Sequence, residues 1–173
     1  MQLLDKFLQV RLLIFDMDGV LTNGKLLLMP NNEWVREMDI KDGFALQLAV
    51  KSGLVIAVMT GSFCEPVKNR LSILGVDRFY DKVSSKAEMI KQLMNEFSFQ
   101  KEEVLFMGDD IPDLEAFEIA GVRTCPADAV IEVRASADYI STQSGGNGCV
   151  RDVIEKVLRV QGKWTHISDV QSI

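Results

Sequence analysis

The chain has 173 residues, of which 47% are hydrophobic and 25% are charged, and its formal net charge at pH 7 is −6. This size and composition are typical of one globular domain with a full core, and the negative charge argues against nucleic acid or an anionic membrane as a partner. No segment is long and apolar enough to cross a bilayer, and the first residues lack the apolar stretch of a signal peptide, so we expect a cytoplasmic protein.

Strand-like and helix-like segments alternate along the chain. The predicted strands are 11–15, 55–59, a short one near Phe79, 104–107, 122–125 and 139–140. The predicted helices are 43–52, 65–74, 86–97, 113–120, 129–135 and 150–160, and Gly53, Gly75 and Gly121 are each expected to end a helix. This order predicts an α/β fold with a doubly wound, mostly parallel sheet, as a single domain over residues 1–163 followed by a polar tail over 164–173.

One segment interrupts this alternation after the first strand. Two short apolar stretches flank the turn signal Pro30-Asn31-Asn32, which predicts a β-hairpin over about residues 24–39 and no large cap domain. Its apolar residues are too many for a hairpin surrounded by water, which favours an interface between copies of the chain over a hairpin that folds onto its own domain. These apolar residues are Leu26, Leu27, Leu28, Trp34 and Val35.

The segment Leu13-Ile14-Phe15-Asp16-Met17-Asp18-Gly19 carries the first functional signal. An apolar run of this kind is typical of a buried parallel strand, so Asp16 and Asp18 emerge at its C-terminal end, where open α/β sheets bind ligands. Two carboxylates there suit a hard cation and a nucleophile, whereas the structural alternative is a strand followed by an ordinary acidic turn.

Polar residues also follow the other predicted strands. They are Thr60, Gly61 and Ser62, then Lys86 at the start of a helix, then Gly108, Asp109, Asp110 and Asp113. Strand ends of a doubly wound sheet meet at one edge, so Mg²⁺ on Asp16 and Asp109 would lie beside the phosphate donors Thr60 and Lys86. Taken singly, Thr60 and Asp113 read as helix caps and Lys86 as a solvated lysine, but their recurrence at successive strand ends favours a phosphate site.

Other reactive side chains carry little signal. Cys64, Cys125 and Cys149 are odd in number and widely spaced, which predicts neither a disulfide framework nor a zinc site. The only histidine, His166, lies in the C-terminal tail, so catalysis based on histidine is not expected.

These motifs resemble those of the haloacid dehalogenase superfamily of phosphatases. The matching residues are Asp16-Met17-Asp18-Gly19, Thr60-Gly61, Lys86, and Gly108-Asp109-Asp110 with Asp113. Within that superfamily the chain is similar to the nearly capless type that includes the 3-deoxy-D-manno-octulosonate 8-phosphate (Kdo 8-phosphate) phosphatases. The residues that carry this closer similarity include Lys41-Asp42-Gly43, Ile111-Pro112-Asp113-Leu114 and the glycine-rich segment 145–153.

The resemblance implies a Mg²⁺-dependent phosphoric monoester hydrolase. Asp16 would be the nucleophile that forms an aspartyl phosphate, and Asp18 would be the general acid and base. Asp16, the backbone carbonyl of Asp18, and Asp109 would hold Mg²⁺. The remaining implied roles are phosphate binding by Thr60, Gly61 and Lys86, support by Asp110 and Asp113, and substrate binding by Arg70, which would hold a carboxylate, and Ser62. The resemblance also implies a homotetramer joined through the hairpin, in which a neighbouring subunit helps to cover each site.

Three positions depart from the pattern of this family and leave the sugar open. Ser62 stands where Kdo 8-phosphate phosphatases usually have arginine, Asn23 where they have aspartate, and Asn69 where a second arginine is common. The candidate substrates are Kdo 8-phosphate and a nine-carbon sialic-type (nonulosonate) 9-phosphate. Three alternative functions are less consistent with the sequence. A phosphotransferase would need a cap to exclude water, and a receiver domain would have its acid pair at another position relative to the phosphorylated aspartate. A regulatory partner of a sugar-acid cytidylyltransferase would not need to keep both Asp16 and Asp18.

Overall fold

The computed structural model describes residues 2–164, so His166 and the expected tail beyond Trp164 lie outside the described residues. Within this range the strands are β1 (Leu12–Asp16), β2 (Leu27–Leu28), β3 (Trp34–Val35), β4 (Val55–Met59), β5 (Arg78–Tyr80), β6 (Val104–Met107), β7 (Val122–Cys125) and β8 (Tyr139–Ile140). The helices are α1 (Leu3–Gln9), α2 (Ile40–Lys51), α3 (Glu65–Ile73), α4 (Lys86–Phe97), α5 (Leu114–Ile119), α6 (Ile131–Ser136) and α7 (Cys149–Val160). None of these helices is long and apolar enough to cross a membrane.

The main sheet has the strand order β5-β4-β1-β6-β7-β8, and every neighbouring pair is parallel. The order runs outward in both directions from β1, which confirms the predicted doubly wound α/β fold. The register places Asp16 beside Met59 and Phe15 beside Met107, so β1, β4 and β6 end at the same level. The residues that follow these strands therefore meet at one edge of the sheet.

The hydrophobic core has one layer on each face of the sheet. Along β1, Leu13 and Phe15 pack in the layer that contains α1, α2, α3 and α7, whereas Leu12 and Ile14 pack in the layer that contains α4, α5 and α6. All four side chains are fully buried, and burial of each contributes about 1.5–3 kcal/mol to stability. The strand that carries Asp16 is therefore held from both sides.

The N-terminal helix α1 was not predicted from the sequence. Its apolar residues Leu3, Leu4, Phe7 and Leu8 have helical spacing, but seven residues are too few to form a stable helix on their own, and only Phe7 is buried. Tertiary contacts hold it instead, because α1 packs against α7 and the side-chain amide of Gln161 donates to the carbonyls of Phe7 and Val10.

The three glycines expected to end helices have different roles. Gly53 and Gly75 have the left-handed backbone of a helix C-terminus, with φ of 84° and 82°, as predicted. Gly121 also follows the end of a helix, since α5 ends at Ile119, but it does not have the left-handed backbone of a helix cap. A Cβ at this position would lie 2.4 Å from the carbonyl oxygen of Lys101, so close backbone packing is what requires glycine there.

The predicted hairpin is confirmed. Strands β2 and β3 pair antiparallel, with Leu27 opposite Val35 and Leu28 opposite Trp34. Leu27, Leu28 and Trp34 are 62%, 66% and 61% exposed. The alternative in which these residues fold onto their own domain is therefore wrong, and residues 2–164 contain no larger cap.

Candidate active site

A cleft of about 430 Å³ lies at the carboxyl ends of β1, β4 and β6, a volume typical of small-molecule sites. Its lining comprises Asp16, Asp18, Gly24, Thr60, Gly61, Ser62, Val83, Ser84, Lys86, Asp109, Asp110, Pro112, Asp113 and Glu115. The structure thus brings together every predicted site residue except Arg70. A larger depression of about 750 Å³ adjoins the amino ends of the strands, but its charged residues include the mutually paired Arg11 and Glu103 and form no cluster of acids.

Asp16 is the last residue of β1 and is only 8% exposed. The ammonium group of Lys86 lies 2.8 Å from its Oδ1. Burial and the charge of Asp113 raise the pKa of Asp16 to about 6, although Lys86 opposes this shift. A nucleophilic carboxylate must be ionised, so this site benefits from positive charge beyond that of Lys86.

The loop Met17–Leu21 turns away from β1 and brings Gly19 against Asp109. Gly19 has a φ of +92°, a conformation that glycine adopts at little cost. A Cβ at this position would also lie 2.0 Å from Oδ2 of Asp109. The glycine of the Asp16-Met17-Asp18-Gly19 motif is therefore required both by its backbone conformation and by the close approach of the third acid.

Asp109 provides the strongest evidence for a cation. Its Oδ1 is buried and has no hydrogen-bond partner among the described residues. Burial and the charges of Asp16 and Asp113 raise the pKa of Asp109 to about 8. Oxygens of these three carboxylates lie within 4.8 Å of one another, which is a donor set that fits Mg²⁺.

Of these three carboxylates, Asp113 is the one whose two oxygens both accept hydrogen bonds within the protein. Its Oδ1 accepts a short hydrogen bond from Lys86, and its Oδ2 accepts from the amides of Asp109 at 2.9 Å and Asp110 at 3.3 Å. Asp113 thus caps the 3₁₀ turn Ile111–Asp113 together with Asp110 and also supports the site. Asp16 and Asp109 remain as the side chains that could hold a metal, as predicted.

Lys86 is buried between acids. It begins α4, whose N-cap is Ser85, and it is only 9% exposed. Burial disfavours its charge, but Asp16 and Asp113 outweigh burial and raise the pKa of Lys86. Its amide donates to Oε1 of Glu115 at 2.7 Å, a contact that the sequence did not reveal. The alternative of a solvated lysine is wrong.

Thr60 and Ser62 form a hydrogen-bonded turn directly after β4. Thr60 is 2% exposed, and its Oγ1 accepts from the Ser62 amide at 3.1 Å. Helix α3 begins only at Glu65, with Cys64 as its N-cap, so Thr60 is not a helix cap. Gly61 and Ser62 lie in the loop before α3, so this segment would offer a phosphate the groups of a loop and not those of the first turn of a helix.

Asp18 is bound by a residue that sequence reasoning missed. Arg36 Nε donates to Oδ1 of Asp18 at 2.7 Å, and Arg36 Nη2 donates to Oδ2 at 3.0 Å. Arg36 follows β3 on the return limb of the hairpin, and its side chain is only 5% exposed. A buried arginine requires an anionic partner, but nothing in the local pattern of the hairpin reveals that Arg36 is buried.

Arg70 lies outside the cleft. It is on α3, and its Nη2 is so close to α2 that a Cβ at Gly43 would come within 3.1 Å of it. Arg70 is not among the described residues that line the cleft. Its role in binding a substrate carboxylate remains a prediction from resemblance.

Comparisons with known proteins point to one family. The model of the haloacid dehalogenase-like hydrolase family matches residues 75–154. The chain is 33% identical to the 3-deoxy-D-manno-octulosonate 8-phosphate phosphatase of Escherichia coli K12 over 154 residues, which cover 89% of this chain and 82% of that protein.

Two solved structures are similar over most of both chains. The Kdo 8-phosphate phosphatase of Moraxella catarrhalis, in complex with magnesium, phosphate and Kdo, has a TM-score of 0.90 and 29% identity, covering 93% of this chain and 92% of that one. The Kdo 8-phosphate phosphatase of Yersinia pestis has a TM-score of 0.90 and 28% identity, covering 92% and 86%.

Proposed function

The chain belongs to the haloacid dehalogenase-like hydrolases, and on this premise we propose that it is a Mg²⁺-dependent phosphatase that hydrolyses the terminal phosphate of Kdo 8-phosphate. The observation that carries the proposal is the arrangement of Asp16, Lys86 and Asp109 around one cleft, with Asp18 at its rim. The similarity to Kdo 8-phosphate phosphatases over most of the chain supports the choice of substrate.

The chemistry follows from the positions of two carboxylates. The Asp16 carboxylate attacks phosphorus, so that an Asp16–phosphorus bond forms and the bond from phosphorus to the sugar oxygen breaks. Asp18, whose carboxylate accepts hydrogen bonds in the resting site, first takes up a proton from solvent and then gives it to the departing sugar oxygen. Water then attacks the aspartyl phosphate and gives a proton to Asp18, which releases inorganic phosphate and restores both residues.

Positive charge must balance the anions in this cleft. Lys86 lies beside Asp16 and would also bind a phosphate oxygen, together with Thr60 and Gly61. Asp16, Asp109 and the backbone carbonyl of Asp18 would hold Mg²⁺. The ion would neutralise charge on the transferring phosphoryl group, and its charge would offset the burial and the repulsion that together raise the pKa of Asp109.

The exposed hairpin supports a further proposal, that the protein is a homotetramer assembled through β2 and β3. Leu27, Leu28 and Trp34 expose apolar surface that water does not favour. Assembly of hairpins from several copies would bury this surface beside a cleft that a single chain leaves open.

A phosphate-release assay tests the proposed reaction. Wild-type protein with Mg²⁺ is expected to hydrolyse Kdo 8-phosphate faster than a nonulosonate 9-phosphate or a neutral sugar phosphate, and Asp16→Asn is expected to abolish release. Asp77→Asn, at an exposed position outside the cleft, is the control. No release from any sugar phosphate would favour a regulatory partner of a cytidylyltransferase, and equal rates on all substrates would indicate a general phosphatase.

A further inference from the structure

Arg36 joins the hairpin to the general acid and base. Its guanidinium makes two hydrogen bonds to the carboxylate of Asp18 and a third, of 3.3 Å, to Oγ of Ser62. The aliphatic part is buried as well, since only 5% of the side chain is exposed. Such a planar two-point contact is the strongest arrangement that arginine makes with a carboxylate.

All acceptor positions of Asp18 are in use in this arrangement. Oδ1 accepts from Arg36 and from Thr22 Oγ1 at 3.1 Å, and Oδ2 accepts from Arg36 and from Ser62 Oγ at 3.2 Å. A carboxylate offers about four lone-pair sites. The oxygen of a leaving sugar can therefore approach Asp18 only after one of these donors has withdrawn.

The same contacts engage a phosphate-binding group. Oγ of Ser62 lies 3.0 Å from Oγ1 of Thr60. The hydroxyl of Ser62 has one proton, which it donates to Asp18. The Ser62 oxygen must therefore accept the hydrogen bonds from the Thr60 hydroxyl and from Arg36. Release of Arg36 thus loosens a network that also contains the hydroxyl of Thr60.

Arg36 is the donor that a substrate could draw away. Thr22 and Ser62 are short side chains in loops at the strand ends, whereas Arg36 has a long side chain on a hairpin outside the main sheet. Its planar fork can pair equally well with another carboxylate. In the pyranose form of Kdo 8-phosphate, the carboxylate and the phosphorylated side chain flank the same ring oxygen, so a second carboxylate would arrive close to Asp18.

We propose that Arg36 holds Asp18 in the resting site until the carboxylate of a sugar-acid phosphate takes over its guanidinium, which makes Arg36 a specificity-determining residue for acidic substrates. The proposal rests on the proposed phosphatase function and names the residue through which the site would select phosphate monoesters of sugar acids. Exchange of one arginine–carboxylate pair for another keeps the number of charged hydrogen bonds constant. A neutral sugar phosphate must break the pair without replacing it.

The test compares Kdo 8-phosphate with its carboxamide analogue, which has the same shape without the charge. With Mg²⁺, wild-type kcat/KM is expected to favour the acid by about 30-fold, the size of a lost charged hydrogen bond. Arg36→Met is expected to bring the two substrates within roughly threefold, chiefly by raising KM for the acid. The control is Arg123→Met, which removes a similar fork on Asp138 outside the cleft.

Several outcomes would overturn the proposal while the phosphatase function stands. They are an equal loss on both substrates in Arg36→Met, an unchanged preference for the acid, or a preference that disappears in Arg70→Met instead. If Arg36→Met does not fold, wild-type protein still decides the matter, because equal kcat/KM for acid and amide refutes the proposal. Arg36→Lys, which keeps the charge without the fork, is then expected to show an intermediate preference. No phosphate release from either substrate would instead refute the proposed function.

Discussion

Replacing Asp109 by asparagine should separate metal binding from folding. Burial and neighbouring acids raise the pKa of Asp109 from 3.8 to about 8. Between pH 3.8 and about pH 8, Asp109 keeps its proton in the folded protein and has lost it in the unfolded chain. Metal-free wild-type protein is therefore expected to lose stability as the pH rises from about 4 to about 8, and Asp109→Asn should remove this part of the pH dependence.

The size of the effect follows from the same pKa. Each pH unit between 3.8 and 7 lowers the free energy of unfolding by at most about 1.4 kcal/mol, so at pH 7 the loss is roughly 4 kcal/mol as an upper bound. Asp109 is only partly buried, so we expect Asp109→Asn to be more stable than wild type by roughly 2–3 kcal/mol without metal, which raises Tm by about 4–12 °C. Addition of Mg²⁺ should reverse this order, because the ion stabilises the folded wild type.

Thermal unfolding followed by circular dichroism, at pH 5, 7 and 8 and in chelator or excess Mg²⁺, measures both effects. Asp77→Asn, which removes an exposed carboxylate, is expected to behave as wild type in every condition. The reasoning would be refuted if Asp109→Asn were no more stable than wild type in chelator at pH 7, or if it kept the full increase of Tm with Mg²⁺.

Three further predictions follow from buried or exposed groups. Lys86→Met should lower kcat by about 10²–10³-fold in a phosphate-release assay. Lys91→Met, on the exposed side of the same helix, should leave kcat unchanged. Equal losses in the two variants would contradict a role of Lys86 in binding phosphate. Asp42 is 1% exposed, its Oδ2 has no hydrogen-bond partner among the described residues, and burial raises its pKa to about 7. Asp42→Asn should therefore be more stable than wild type by on the order of 2 kcal/mol at pH 8 and by much less at pH 4, as measured by urea unfolding, and a pH-independent difference would disprove this. Trp34→Lys should give a smaller assembly by light scattering, whereas Ile131→Lys, at a 77% exposed residue outside the hairpin, should not; a monomeric wild type would refute the tetramer.

The hairpin shows how far a local pattern can predict structure. The turn signal at Pro30-Asn31-Asn32 and its apolar flanks predicted a hairpin, and β2 and β3 pair there. The same pattern favoured an exposed Trp34, which is 61% exposed, but it did not reveal that the side chain of Arg36, two residues later, is buried against Asp18. A strand has the same alternation whichever face is covered, so burial depends on what lies beside it.

The charged residues of the cleft also differ in how far the sequence predicts them. Asp16 and Asp18 were predicted because an apolar run that ends in acids is visible within ten residues of sequence. The pairing of Lys86 with both Asp16 and Asp113 joins residues 70 and 27 positions apart. Such pairs have no period or spacing of their own, and only the order of strands in the sheet brings them together.

The sequence by itself determined the α/β class, the strands of the main sheet, and the acids, threonine and lysine that line the cleft. Each strand is visible as a local apolar run, and the polar residues of the cleft follow these runs in order along the chain. Only the tertiary structure decided that Asp109 meets Gly19, that Asp113 is occupied by Lys86, and that Arg36 rather than Arg70 lies beside Asp18. The physical reason is that parallel strands join distant segments through crossovers, so contacts at their ends depend on register and packing and not on local residue preference.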